Sequence, residues 1–157
     1  MMARMAVAGL GSSDRCDDGA GPAFAALLAE RIGAPDIGPI ADPLDLLGRI
    51  DDLELLVLGD ATRSGVPIGQ VTIVHLGARE LAAYAGDNSA PTSTHGMGAL
   101  RTLQLAAALD QGPAHSILVG IEGADFSFGS RLSPAVRRGV ETAAMIVGEL
   151  VSRWHRV

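Results

Sequence analysis

The chain has 157 residues, a net charge of −6, 48% apolar residues and only 3% aromatics. That length predicts a single domain over residues 1–157, with a core packed by small residues that let helices lie close on a sheet. The acidic balance argues against nucleic acid or an anionic membrane as the main partner, and no apolar run is long enough to span a bilayer. Met1 to Leu10 is too short and too glycine-bounded for a signal peptide. Cys16 is the only cysteine, so no intrachain disulfide is possible and a reducing, cytoplasmic setting is expected.

Met5 to Leu10 reads as an apolar strand that runs into a glycine loop ending at Pro22. Gly9 and Gly11 would let the backbone turn sharply there. Pro22 suits the first position of a helix, and an alanine- and leucine-rich run continues to Arg31. The loop carries Asp14, Asp17 and Asp18. Phosphate binding fits poorly. The third glycine of a dinucleotide fingerprint would fall at Asp14, no P-loop lysine is present, and carboxylates repel phosphate. Capping of the following helix accounts for one or two of the aspartates. The sharper reading is a carboxylate that faces a metal or a substrate, with Asp18 the favoured candidate.

Gly33 and Pro35 stop the helix, and Asp36 to Ile40 forms a short second strand. Asp42-Pro43 opens a short helix through Ile50. Leu53 to Leu58 is the near-continuous apolar run of a central parallel strand, ending at Gly59-Asp60. Gln70 to Leu76 is a further strand. Ala78 to Thr94 holds a helical turn and then a polar loop that ends Ser93-Thr94-His95-Gly96. Met97 to Leu109 reads as helix, Ser116 to Ile121 as strand, and Glu122 to Arg131 as loop. Ser133-Pro134 starts the last helix, whose stripe is Val136, Val140, Ala143, Val147, Leu150 and Trp154. Arg137, Arg138, Glu141, Glu149 and Arg153 fall largely elsewhere on it. Strands and helices alternate, so the sheet is expected to be mostly parallel with helices on both faces.

In such sheets ligands sit beyond the carboxyl ends of the strands. Asp18 follows the first strand and Asp60 the central one; if these strands are neighbours, both carboxylates lie on one rim. His95, in a loop just before a helix, is within reach of the same rim. Two carboxylates and an imidazole suit a divalent transition metal and leave positions open for substrate. Plainer readings stand beside these. Asp60 would cap its own turn, and His95 would bond to backbone. His75 would be an edge or core histidine, His115 and His155 surface residues, and Cys16 a bystander thiol.

An ordered series of motifs resembles the hydrogenase maturation endopeptidases. It runs Gly9-Leu10-Gly11, Asp17-Asp18-Gly19-Ala20-Gly21, Gly59-Asp60-Ala61, Ser93-Thr94-His95-Gly96-Met97-Gly98, Val119-Gly120-Ile121-Glu122 and Leu132-Ser133-Pro134. The resemblance implies a phosphorylase/hydrolase-like, three-layer α/β/α fold. Its five-stranded sheet would have order 2-1-3-5-4 with strand 4 antiparallel. It also implies an endopeptidase that removes the C-terminal extension of a nickel–iron hydrogenase large-subunit precursor after nickel insertion. The family's nickel ligands, which serve catalysis, fall on Asp18, Asp60 and His95. No permanent cofactor is implied; the nickel belongs to the substrate, and other divalent ions suit the same donors. Two departures stand out. Ser12 replaces the usual asparagine, and Gly38-Pro39-Ile40-Ala41 stands where the family has Asp-Gly-Gly-Thr, which bears on specificity. A non-catalytic metal-sensing or chaperone-like binding protein on the same fold is the alternative, and a hydrolase or phosphorylase of small molecules a third.

Overall fold

The computed structural model describes residues 4–83 and 96–154. In chain order the strands are β1 (Met5–Leu10), β2 (Asp36–Ile40), β3 (Leu55–Thr62), β4 (Val71–Gly77) and β5 (His115–Glu122). The helices are α1 (Ala20–Ile32), α2 (Ala78–Ala83), α3 (Gly96–Ala108) and α4 (Pro134–Trp154). Short 3-10 turns cover Cys16–Gly19 and Pro43–Leu46. The sheet order is β2-β1-β3-β5-β4, all parallel except β4, which runs antiparallel to β5. This is the sheet that the family resemblance implies, with β1 and β3 side by side.

Successive residues of a strand face opposite sides of the sheet, and β3 is apolar on both. Leu55, Val57 and Ala61 pack with Phe24 and Leu28 of α1 and with Val140 and Val147 of α4. Leu56 and Leu58 pack on the other side with Leu100 and Leu103 of α3 and with Leu46. These are the three layers. Among the described residues no helix is long and apolar enough to cross a membrane.

The close fit of α1 on the sheet depends on missing side chains. A Cβ built on Gly21 would overlap the Leu10 carbonyl oxygen and stand 2.6 Å from that of Gly59. Backbone thus meets backbone at the junction of β1, β3 and α1.

Several boundaries differ from expectation. Helix α1 begins at Ala20, because the 3-10 turn runs straight into it; Pro22 still fits, since N–H groups of a first turn lack helical partners. Only Pro43–Leu46 of the expected helix through Ile50 forms a turn of helix, capped by the Asp42 carboxylate, which accepts from Leu44 N–H at 3.0 Å. Strand β3 continues beyond Leu58 to Thr62, because β5 keeps pairing with it as far as Glu122. On α4, Leu150 is exposed and Val151 takes its place in the core. His75 lies on the edge strand β4 and is exposed, as one plain reading had it. His115, expected at the surface, is half-buried; its Nδ1 lies 3.1 Å from His75 Nε2, and the Trp154 ring packs edge-on against both imidazoles. His155 lies outside the described residues.

Candidate active site

The loop after β1 closes on itself through Gly11. Its φ of +116° lies in a region that side chains rarely adopt, and a Cβ there would overlap the Asp18 carbonyl oxygen. The same closure lets Ser12 N–H donate to Asp18 Oδ2 at 2.8 Å. Asp18 is buried, yet its side of the loop lines a cleft of about 480 Å³. Gly11, Ser12 and Arg15 line it from this loop, Ala41 from beyond β2, Ala61 and Arg63 from the end of β3, and Phe126 from beyond β5. The cleft therefore sits outside the carboxyl ends of the parallel strands, where such sheets take their ligands.

Asp60 is buried within β3 and pairs with Gly120 of β5, so it sits in a strand and not in a capped turn. The pleat gives it the same face as Leu56 and Leu58, the face covered by α3. It lies next to Ala61 of the cleft, at the same end of the sheet as Asp18. His95 lies outside the described residues. Helix α3 starts at the following residue, and its Gly98 backs closely onto Pro43, near the cleft end of β2. Among the described residues no three His, Cys, Asp or Glu side chains converge in a metal-binding group.

The loop aspartates do not cap α1, which has no side-chain cap. Asp14 is exposed. Asp17 is buried and reaches across the molecule. Its carboxylate accepts from Ala124 N–H and Asp125 N–H at 2.9 Å each, from Ser133 N–H at 2.6 Å and from Ser133 Oγ at 2.7 Å. Burial alone would raise its pKa; the bonds from Asp125, Ser133 and Ala124 outweigh that and hold the carboxyl below its ordinary value. It ties the loop after β1 to the loop before α4.

Glu122 does the same work for the loop after β3. It accepts from Thr62 Oγ1 at 2.7 Å, from Ser64 N–H and Oγ, and from Gly65 N–H at 2.9 Å. Burial again pushes its pKa up, and these donors more than reverse it. Sequence reasoning gave neither residue this role. The one available signal was a lone carboxylate closing an apolar strand, Ile121-Glu122, which must find buried donors.

Cys16 is a buried free thiol at φ 46°, and a Cβ on Gly129 would stand 2.9 Å from its Sγ. It follows Arg15, which bridges to Gly129, and its side chain hydrogen-bonds the Asp125 carboxylate. Cys16→Ser is expected to fold and to retain cleavage, checked by the mass of a processed substrate. Complete loss of cleavage with an unchanged circular dichroism spectrum would assign the chemistry to the thiol.

The chain is an α/β protein of the doubly wound class, with one antiparallel edge strand and a carboxylate in the cleft beyond its strand ends. The chain belongs to the hydrogenase maturation protease family: the family's sequence profile matches residues 38–149. It is accordingly a peptidase. The NiFe hydrogenase maturation protease HybD from Thermococcus kodakarensis is similar at 31% identity and a TM-score of 0.74, over 94% of this chain and 98% of that one. The hydrogenase maturating endopeptidase HybD from E. coli shares the fold at 20% identity and a TM-score of 0.70, over 92% and 89%. The NiFe hydrogenase maturation protease HycI from Thermococcus kodakarensis KOD1 does so at 21% and 0.66, over 96% and 93%. Among curated proteins none matches.

Proposed function

We propose that this chain removes the C-terminal extension of a nickel–iron hydrogenase large-subunit precursor, and that it cuts only when nickel is already in that precursor. Asp18, Asp60 and His95 complete the coordination of the substrate-borne nickel and so couple cleavage to correct metal loading. The observation that carries this reading is the buried Asp18 carboxylate in a cleft beyond the strand ends, with Asp60 at the same end of the sheet. Two carboxylates suit hard ions; the imidazole of His95 shifts the set toward nickel and zinc. A divalent ion supplies Lewis acidity at the scissile carbonyl or lowers the pKa of an attacking water. The protein needs no metal of its own, and we place it in the cytoplasm, where a free Cys16 stays reduced.

The test mixes purified protein with unprocessed large subunit, with and without nickel, and follows the mass of the large subunit. The expected result is a discrete C-terminal loss that requires nickel in the substrate and disappears in His95→Ala. Cleavage that proceeds equally without nickel would end the coupling. Nickel-dependent binding with no change in mass would make the chain a sensor.

A further inference from the structure

Two arginines stand at the mouth of the cleft, and each lies over a phenylalanine. The Arg63 guanidinium carbon is 4.0 Å from the centre of the Phe126 ring, and that of Arg15 is 4.5 Å from the centre of Phe128. Phe128 is 81% exposed, so it has no role in the core. Among the described residues the one ion pair joins Arg4 and Asp52, and neither cleft arginine takes part in one. Both belong to a chain of net charge −6, and they share this opening with the Asp18 carboxylate.

A guanidinium stacked on a ring keeps its N–H edge free, and that edge matches a carboxylate in two parallel hydrogen bonds. The stacking also lowers the entropy lost on binding, because the planar group is held before the ligand arrives. The backbone beneath is fixed: Glu122 holds Ser64 and Gly65 beside Arg63, and Gly129 N–H donates to the Asp14 carbonyl beside Arg15.

We propose that Arg15 and Arg63 form a two-guanidinium clamp for carboxylate side chains of the peptide segment being cut. The acidic peptide is then recognised on the cleft walls, while Asp18 in the same cleft is left for the metal. This rests on the peptidase reading above and names its substrate class: a cleavage region that carries Asp or Glu.

The test is binding without nickel, so that it stands apart from metal-conditional cleavage. Two labelled synthetic peptides of the precursor's cleavage region are titrated, one with its Asp and Glu residues and one with Asn and Gln in their place. The acidic peptide is expected to bind roughly tenfold more tightly, with the difference shrinking as salt rises. Arg63→Ala and Arg15→Ala should each abolish most of that difference, and Arg63→Lys should restore only part of it. With the nickel-loaded precursor the same variants should raise KM and leave kcat nearly unchanged. Equal affinity for the two peptides, an unchanged preference in both alanine variants, or a cleavage region without carboxylates would overturn the clamp. Acidic-peptide binding that survives alongside a failure to cleave would keep the clamp and sink the proposed cut.

Discussion

Gly21→Val should yield no folded protein, and Gly21→Ala should fold with a loss of about 3 kcal/mol. The obstruction is backbone. The added Cβ meets the Leu10 carbonyl oxygen and, at 2.6 Å, that of Gly59. Neither is a side chain that can rotate away, and both belong to strands buried on each face. To make room, α1 must lift off the sheet, which uncovers Phe24 and Leu28. A domain of this size has about 5–15 kcal/mol of total stability, so the alanine variant survives and the valine variant does not. Thermal unfolding of Gly21→Ala checks this: the midpoint should fall by roughly 6–12 °C. A fall of under about 2 °C would mean that the helix can shift freely over the strands.

Asp17→Ala should cost about 3 kcal/mol and also spoil the cleft, although Asp17 lines none of it. Three backbone N–H groups and one hydroxyl lose their acceptor. The loop bearing Phe126 and Phe128 then keeps its backbone bonds, Asp17 N–H to Asp125 and Cys16 N–H to Gly129 among them, but loses the side-chain anchor that fixes its start against Ser133. Urea unfolding should show the lost stability, and substrate cleavage should slow beyond what the unfolded fraction explains. The pH dependence gives a second check. The folded pKa of Asp17 is depressed, so its contribution is complete above the unfolded value of about 3.9 and is lost as pH falls through the folded one. Glu122 has the same sign, from an unfolded value of about 4.3. Wild-type stability should therefore fall steeply below about pH 4, and Asp17→Asn should fall less steeply there. An identical acid profile for the two proteins would show that Asp17 is not held ionised by its donors.

The alternation of strands and helices made the layered, mostly parallel sheet legible in the chain, because each apolar period reports a local geometry. Strand order was not local information; it came through the family resemblance. Asp17 shows the limit most sharply. Its neighbours in sequence suggest a cap for α1, while its true partners lie 107 to 116 positions away. No spacing rule reaches that far. The exchange of Leu150 for Val151 has a different cause. A four-three alternation follows a period of 3.5, but a straight helix turns every 3.6 residues and drifts about 20° per heptad. By Leu150, two heptads after Val136, that drift is about 40°, which puts Leu150 at the margin of the buried face and lets Val151 on its other side enter the core. For the candidate site, Asp18 and Asp60 were visible as unusual carboxylates at strand ends. The cleft arginines were not, since an arginine in a loop looks like any solvated charge until its ring partner is known.

Asp17 and Glu122 fasten the loops from beneath, whereas Arg15, Arg63, Phe126 and Phe128 stand at the opening. Foundations and tips are thus different residues. A lineage, or an engineer, is free to exchange the tips for other side chains while the scaffolding holds its form. One architecture can in that way be retargeted to a new precursor by a handful of surface changes, without reopening the problem of folding.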